Sequence, residues 1–324
     1  MHLNTKIPKY LKRNLVKLSK DFPEHQVVLV SNLKQKRIPN VLFKQYSEPI
    51  QSIEINANLS HPKNFRANFW HSSIARFAYL LKHQTETGIP FLHVESDVIL
   101  AKDFPIEIVG KNSNLAYPIL SKYRGVASVF FSQGAEVLSH YVNFIVTEVR
   151  KDHEITDMTA LRKYYDLNPE RVSVLPAGPA TISAYEPEIQ KDLFATIESE
   201  IKRYEGVFDG SDIGMYLFGT DPRNKLGHSI LREEIATTYT RMSEMQFTYN
   251  AARDFLDVKN SGEWIPVYNL HMTCKDTKLF STNEMRDTFL KYLKHKNRTE
   301  IFISKVYLQM ALAKLLRVIR RSYR

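Results

Sequence analysis

The sequence predicts an α/β fold in which helices cover a mostly parallel central sheet. Three observations predict it. Short apolar runs alternate with segments of helical period along most of the chain, the pattern of strand–helix units. One such run, Phe91-Leu92-His93-Val94, ends in the carboxylates Glu95 and Asp97, at the strand end where open α/β sheets bind ligands. The 324 residues are 43% hydrophobic and 25% charged, enough to bury the core of one large domain or two small ones.

The elements follow in chain order. Leu11, Leu15 and Leu18 oppose Lys9, Arg13, Lys17 and Lys20, so residues 1–24 read as a basic amphipathic helix. Gln26-Val27-Val28-Leu29-Val30 is the first buried strand, and opens a main domain expected over residues 25–285. Residues 31–65 read as short strands and turns, broken at Ser60-His61-Pro62. Trp70, Ile74, Phe77 and Leu81 recur at helical spacing and predict a helix from Phe69 to His83. Gly88-Ile89-Pro90 then introduces the strand that ends at Glu95.

Further strands are expected at 114–118 and 126–131, with a long helix over 135–149. Thr156 and Asp157 cap a helix through Tyr165, because a side-chain oxygen there satisfies free backbone N–H groups. Val172-Ser173-Val174-Leu175-Pro176 is a short strand closed by proline. Helices over 189–203 and 232–254 flank a Gly- and Asp-rich stretch, 208–224, that reads as a functional loop system. Val267-Tyr268-Asn269-Leu270-His271 is the last strand. Residues 286–324 form a basic helical tail, with Leu308, Leu312, Leu315 and Ile319 facing away from Lys314, Arg317, Arg321 and Arg324.

The net charge of +10 lies at the two ends. Residues 6–20 and 305–324 each carry six basic side chains and no acid, which leaves the body near neutral. That distribution argues against a nucleic-acid partner, which needs a basic stripe on the folded core. It suits an anionic membrane surface for the C-terminal helix, where each cation contributes about 1 kcal/mol; the N-terminal helix is expected to dock on the protein. No stretch reaches the length of an apolar membrane span, no apolar signal core opens the chain, and Cys274 stands alone. The expected location is cytoplasmic, peripheral on the inner face of the membrane. Asn297-Arg298-Thr299 is then a chance match to a glycosylation acceptor.

Three motifs together carry a family resemblance. Ser72-Ser73-Ile74-Ala75-Arg76-Phe77, a helix, and then Phe91 to Val98 resemble the helix and DxD strand of GT-A-fold glycosyltransferases. Here Glu95 replaces the first Asp, and the connection between helix and strand is longer. Thr156-Asp157-Met158-Thr159-Ala160-Leu161 with the strand at 172–176 resembles a later helix and strand of the retaining, bacterial polysaccharide-type members. Asn269-Leu270-His271-Met272-Thr273-Cys274-Lys275 resembles their late His-plus-Lys element. The resemblance covers roughly residues 25–280, and the order of the three motifs is the specific part of it.

It implies a GT-A-like, Rossmann-like sheet and transfer from a nucleotide sugar, a UDP-sugar first, with retention of configuration. The acceptor it implies is a glycan or a lipid-linked glycan in surface polysaccharide synthesis. Asp97 and His271, with Glu95 direct or through water, would hold Mn²⁺ or Mg²⁺ bridging the two phosphates. The His favours Mn²⁺, since Mg²⁺ prefers an all-oxygen shell. Arg76, Glu95, Lys275 and Lys278 are the expected donor-binding residues. Asp157, Asp209 and Asp212 are the candidates for positioning the acceptor hydroxyl or flanking the reacting carbon. Two other readings compete. One is a non-catalytic membrane- or polyanion-binding protein on a degenerate α/β scaffold. The other, a sugar-nucleotide pyrophosphorylase, would want a glycine-rich loop after the first strand, and Ser31-Asn32-Leu33-Lys34-Gln35-Lys36 has no glycine.

Overall fold

The computed structural model describes residues 1–63, 68–111, 113–179, 191–219, 245–275, 277–280 and 286–291. Helix α1 (Lys9–Asp21) is followed by strands β1 (Val27–Ser31) and β2 (Val41–Gln45) and by helices α2 (Ile50–Asn58) and α3 (Phe69–Thr87). Strands β3 (Phe91–Val94) and β4 (Val98–Leu100) bracket Glu95-Ser96-Asp97. Next come α4 (Ile106–Lys111), β5 (Leu115–Ser121), β6 (Arg124–Gly125) and β7 (Val129–Ser132), then α5 (Ala135–Lys151) and α6 (Asp157–Leu167). The described part continues with β8 (Val172–Pro176), α7 (Lys191–Tyr204), α8 (Asp212–Phe218), β9 (Phe247–Asn250), β10 (Phe255–Asn260), β11 (Glu263–Pro266) and β12 (Asn269–His271).

The chain is mixed α/β, but its largest sheet is not mostly parallel. That sheet runs β3-β7-β5, and β6 and β8 each pair with β5 as well. β5 and β8 are parallel, whereas β7 is antiparallel to both β3 and β5. The reason lies in the connection. β5 returns to β7 through the short β6 hairpin, and a parallel crossover needs a dozen residues or more. β3, β5 and β8 still point the same way, so their carboxyl ends share one edge. Beside this sheet stand the parallel pair β1–β2, the antiparallel pair β4–β12 and the antiparallel meander β9-β10-β11.

α3 starts at Asn68 and ends at Gly88, whose φ of +67° closes the helix with an N–H bond to the Gln84 carbonyl at 2.8 Å. Its buried face meets an aromatic core: the Phe77 ring lies 5.2 Å from Phe130 and 5.0 Å from Tyr141, which lies 4.9 Å from Tyr164. Thr156 caps α6 by accepting the Thr159 N–H at 3.2 Å.

Four further expectations are corrected. α2 lies where short strands and turns were expected, because Ile50 and Ile53 face outward and blur its helical period. The loop system at 208–224 contains α8. The helix expected over 232–254 gives way at its end to β9, paired with β10; residues 220–244 lie outside the described residues. α1 docks through Leu11 and Leu15, as expected, but Lys17 does not face solvent. It is buried, paired with Asp21, and bonded to the Leu100 carbonyl at 3.3 Å. The basic C-terminal helix lies outside the described residues.

Candidate metal centre

One strand pairing builds the centre. β12 lies antiparallel to β4 with His271 opposite Val98, and the Met272 N–H donates to the Asp97 carbonyl at 2.7 Å. On the other side the Glu95 N–H donates to the Ser128 carbonyl at 3.0 Å, and the Val98 N–H donates back to Glu95 at 3.1 Å. The turn between β3 and β4 is therefore pinned at both ends, with its two carboxylates facing His271.

Ligand atoms of Glu95, Asp97 and His271 all lie within 4.8 Å of one another. His271 Nε2 is 3.4 Å from Asp97 Oδ1 and 3.6 Å from Glu95 Oε2. Neighbouring ligands at about 2.1 Å from a six-coordinate ion stand about 3 Å apart, so the three atoms need only close slightly around a cation. The imidazole is aimed for this: Nδ1–H donates to the Gly210 carbonyl at 2.8 Å, which leaves the Nε2 lone pair towards the carboxylates. Without an ion, a proton fills the same place. Burial opposes charge on His271, but Asp97 and then Glu95 outweigh it and raise the imidazole to about 10. Burial likewise works against ionised Asp97, yet His271 and Lys275 hold its carboxyl below the usual range.

Asp209 sets the His271 backbone. Fully buried, it accepts the His271 N–H at 2.9 Å and the Gly214 N–H at 2.8 Å on Oδ2, and the Ile213 N–H at 3.0 Å on Oδ1. Its own carbonyl receives Asn269 Nδ2 at 2.7 Å and Ser128 Oγ at 2.9 Å. Glycine is required at 214, where a Cβ would stand 2.1 Å from the His271 carbonyl oxygen. Burial raises the Asp209 carboxyl, against the three backbone donors.

The remaining expected site residues fall into two groups. Arg76, on α3 and 92% buried, forks between Glu95 and Asp157. Burial disfavours its charge, but the two carboxylates more than compensate and hold the guanidinium above its ordinary value. Arg76 therefore orients Glu95 and ties the start of α6 to the centre. Lys275 Nζ stands 3.6 Å from Asp97 Oδ2, on the oxygen that does not face His271. Lys278 is exposed in the turn that follows, and Asp212 opens α8 with Ser211 Oγ at 3.4 Å. Cys274 is half-buried beside the core.

Sequence reasoning missed a polar cavity of about 170 Å³ along α3, lined by Ser72 one helical turn before Arg76. Asn4, Asn32, Glu48, Ser52, Asn56, Asn68, and His71 with Ser72 on α3, contribute to its lining. Asn4 Nδ2 donates to Ser72 Oγ at 2.8 Å, and Asn4 and Asn32 exchange bonds at 2.7 and 2.9 Å. Four separate segments supply these amides, so no local motif announces them. Comparison with protein-family models, curated proteins and solved structures returned no match.

Proposed function

We propose that the chain is a metal-dependent glycosyltransferase that moves a sugar from a nucleotide-sugar donor, a UDP-sugar first, to a glycan or lipid-linked acceptor in surface polysaccharide synthesis. The observation that carries the reading is the convergence of Glu95, Asp97 and His271, with Lys275 on the second oxygen of Asp97. The donor set of two carboxylates and one imidazole suits Mn²⁺ above Mg²⁺. When bound, such an ion supplies Lewis-acid stabilisation to the departing diphosphate.

The chain's own residues do the rest. Arg76 holds Glu95 in one orientation, and Asp209 with Gly210 holds His271 by its backbone and Nδ1. Lys275 adds a point charge beside the leaving group. Ser72 and Arg76 are one helical turn apart, about 6 Å along α3. A nucleoside in the amide-lined cavity and a diphosphate at the triad can therefore belong to one ligand. Asp157 is held in its pair with Arg76 and Asp209 acts through His271, so Asp212 is the aspartate the reading assigns to the acceptor side. The reading takes β1, β2 and the common carboxyl edge of β3, β5 and β8 as a GT-A-like frame, and takes retention from the family resemblance alone. No helix among the described residues is long and apolar enough to cross a membrane. The reading places the chain on the cytoplasmic face of the membrane, held by its basic C-terminal segment.

The test is turnover of a panel of nucleotide sugars with Mn²⁺, for the wild type, Asp97→Ala and His271→Ala. The reading expects release of the nucleoside diphosphate that both variants and a chelator abolish, with the fold intact by circular dichroism. Full turnover with chelator present contradicts it. Liposome binding without any nucleotide binding would favour the non-catalytic reading instead.

A further inference from the structure

The turn between β5 and β6 has none of the residues common in two-residue hairpins, and neither of its residues takes a positive φ. Such turns favour Asn, Asp and Gly, whose backbones tolerate the tight geometry. This one is Lys122-Tyr123, followed by Arg124 across from Ser121. The Tyr123 ring is 59% exposed at the tip, with Lys122 Nζ 4.8 Å above its centroid. The Tyr123 N–H is held by Ser121 Oγ at 3.1 Å. Arg124 makes no ion pair among the described residues. The tip therefore presents an exposed aromatic side chain between two basic residues rather than a buried anchor.

The hairpin is also rigidly built and close to the centre. Gly125 lets it lie on α6, since a Cβ there would stand 2.8 Å from Leu161 Cβ. Arg162 of α6 donates to the Ser121 carbonyl at 3.1 Å. Leu120, just before the turn, packs on Gly210, where an added Cβ would meet its side chain at 2.6 Å. Gly210 is the residue that receives His271 Nδ1–H. From Gly125 the chain reaches Ser128, the partner of Glu95, in three residues, at most about 10 Å. The hairpin stands on the same carboxyl edge of the sheet as Glu95.

We infer that the Lys122-Tyr123-Arg124 hairpin is an acceptor subsite that stacks a sugar ring of an acidic oligosaccharide on Tyr123 and receives its carboxylate on Arg124. An exposed ring presents a flat apolar face with little entropy to lose. The neighbouring cations select for negative charge. The inference rests on the transferase reading for the word acceptor, but the saccharide binding it describes does not need a donor.

The experiment is binding of the full chain to an array of uronate-bearing, sialylated and neutral oligosaccharides, for the wild type and four variants. Tyr123→Ala is expected to weaken binding to acidic oligosaccharides at least tenfold, and Tyr123→Phe to leave it within twofold. Arg124→Ala is expected to erase the preference for acidic over neutral chains. Asp97→Ala is expected to leave the array pattern unchanged. A wild-type chain that binds no saccharide, or a Tyr123→Ala variant that binds as well as wild type, overturns the inference. Saccharide binding through Tyr123 in a chain that binds no Mn²⁺ overturns the transferase reading and leaves this one standing.

Discussion

Replacing Arg76 by leucine removes the one cation shared by Glu95 and Asp157. The three side chains are 10%, 17% and 8% exposed, so solvent does little to screen them. Asp157 would then lose its ion-pair partner, and Glu95 would keep only the His271 imidazolium, 3.6 Å away. Breaking a buried pair in this way costs about 3–5 kcal/mol, mainly because charge is left buried and uncompensated. The loss should fall within that range at pH 7.5. Arg76→Lys should lose less, since a point charge can serve one carboxylate but cannot fork between two. Urea unfolding of the metal-free chain at pH 7.5 reads the effect directly. A loss under 1 kcal/mol at pH 7.5, or an Arg76→Lys variant that loses as much as Arg76→Leu, would refute the argument that Arg76 is the keystone between α3, α6 and the centre.

Three other outcomes follow from the same geometry. The His271 pKa is raised in the folded chain from 6.5 to about 10, so its proton stabilises the fold fully below pH 6.5 and that contribution is lost as pH rises towards 10. A divalent ion needs the neutral imidazole, so Mn²⁺ affinity by calorimetry should rise about tenfold per pH unit between 7 and 9, with release of one proton, and should lose that slope in His271→Gln. Gly214→Ala should shift the His271 backbone, because a Cβ 2.1 Å from its carbonyl oxygen cannot be accommodated by a rotamer; Mn²⁺ binding should fall at least tenfold while α5 and α6 remain folded by hydrogen exchange. Asp209→Asn puts an amide N–H₂ against backbone donors and should lower stability by about 2–3 kcal/mol in urea unfolding.

The sequence made the strands before Glu95 and at His271 legible because their apolar runs are short and sharply bounded. α3 and α6 were legible from period and capping. The direction of β7 was also written there, in the short connection from β5, but the alternation of strands and helices suggested parallel pairing. α2 was hidden by its two outward isoleucines. Lys17 shows why charge patterning misleads: its buried place depends on Asp21 beside it and on the Leu100 carbonyl from a distant strand. At the candidate site, Glu95, Asp97 and His271 could be named from their types and order. What could not be read was that Arg76 is committed to two carboxylates, or that Asp209 holds backbone. Both follow from β4 pairing with β12 and from α6 reaching α3, which no local window contains. The amide-lined cavity drew its residues from four segments for the same reason.

The most direct test of the central claim is calorimetric titration of the chain with UDP in the presence and absence of Mn²⁺. The account predicts one nucleotide per chain, bound at least tenfold more tightly with the ion, and loss of that gain in both Asp97→Ala and His271→Ala. Binding of UDP with equal affinity with and without Mn²⁺, or an unchanged ion effect in the two variants, would contradict it.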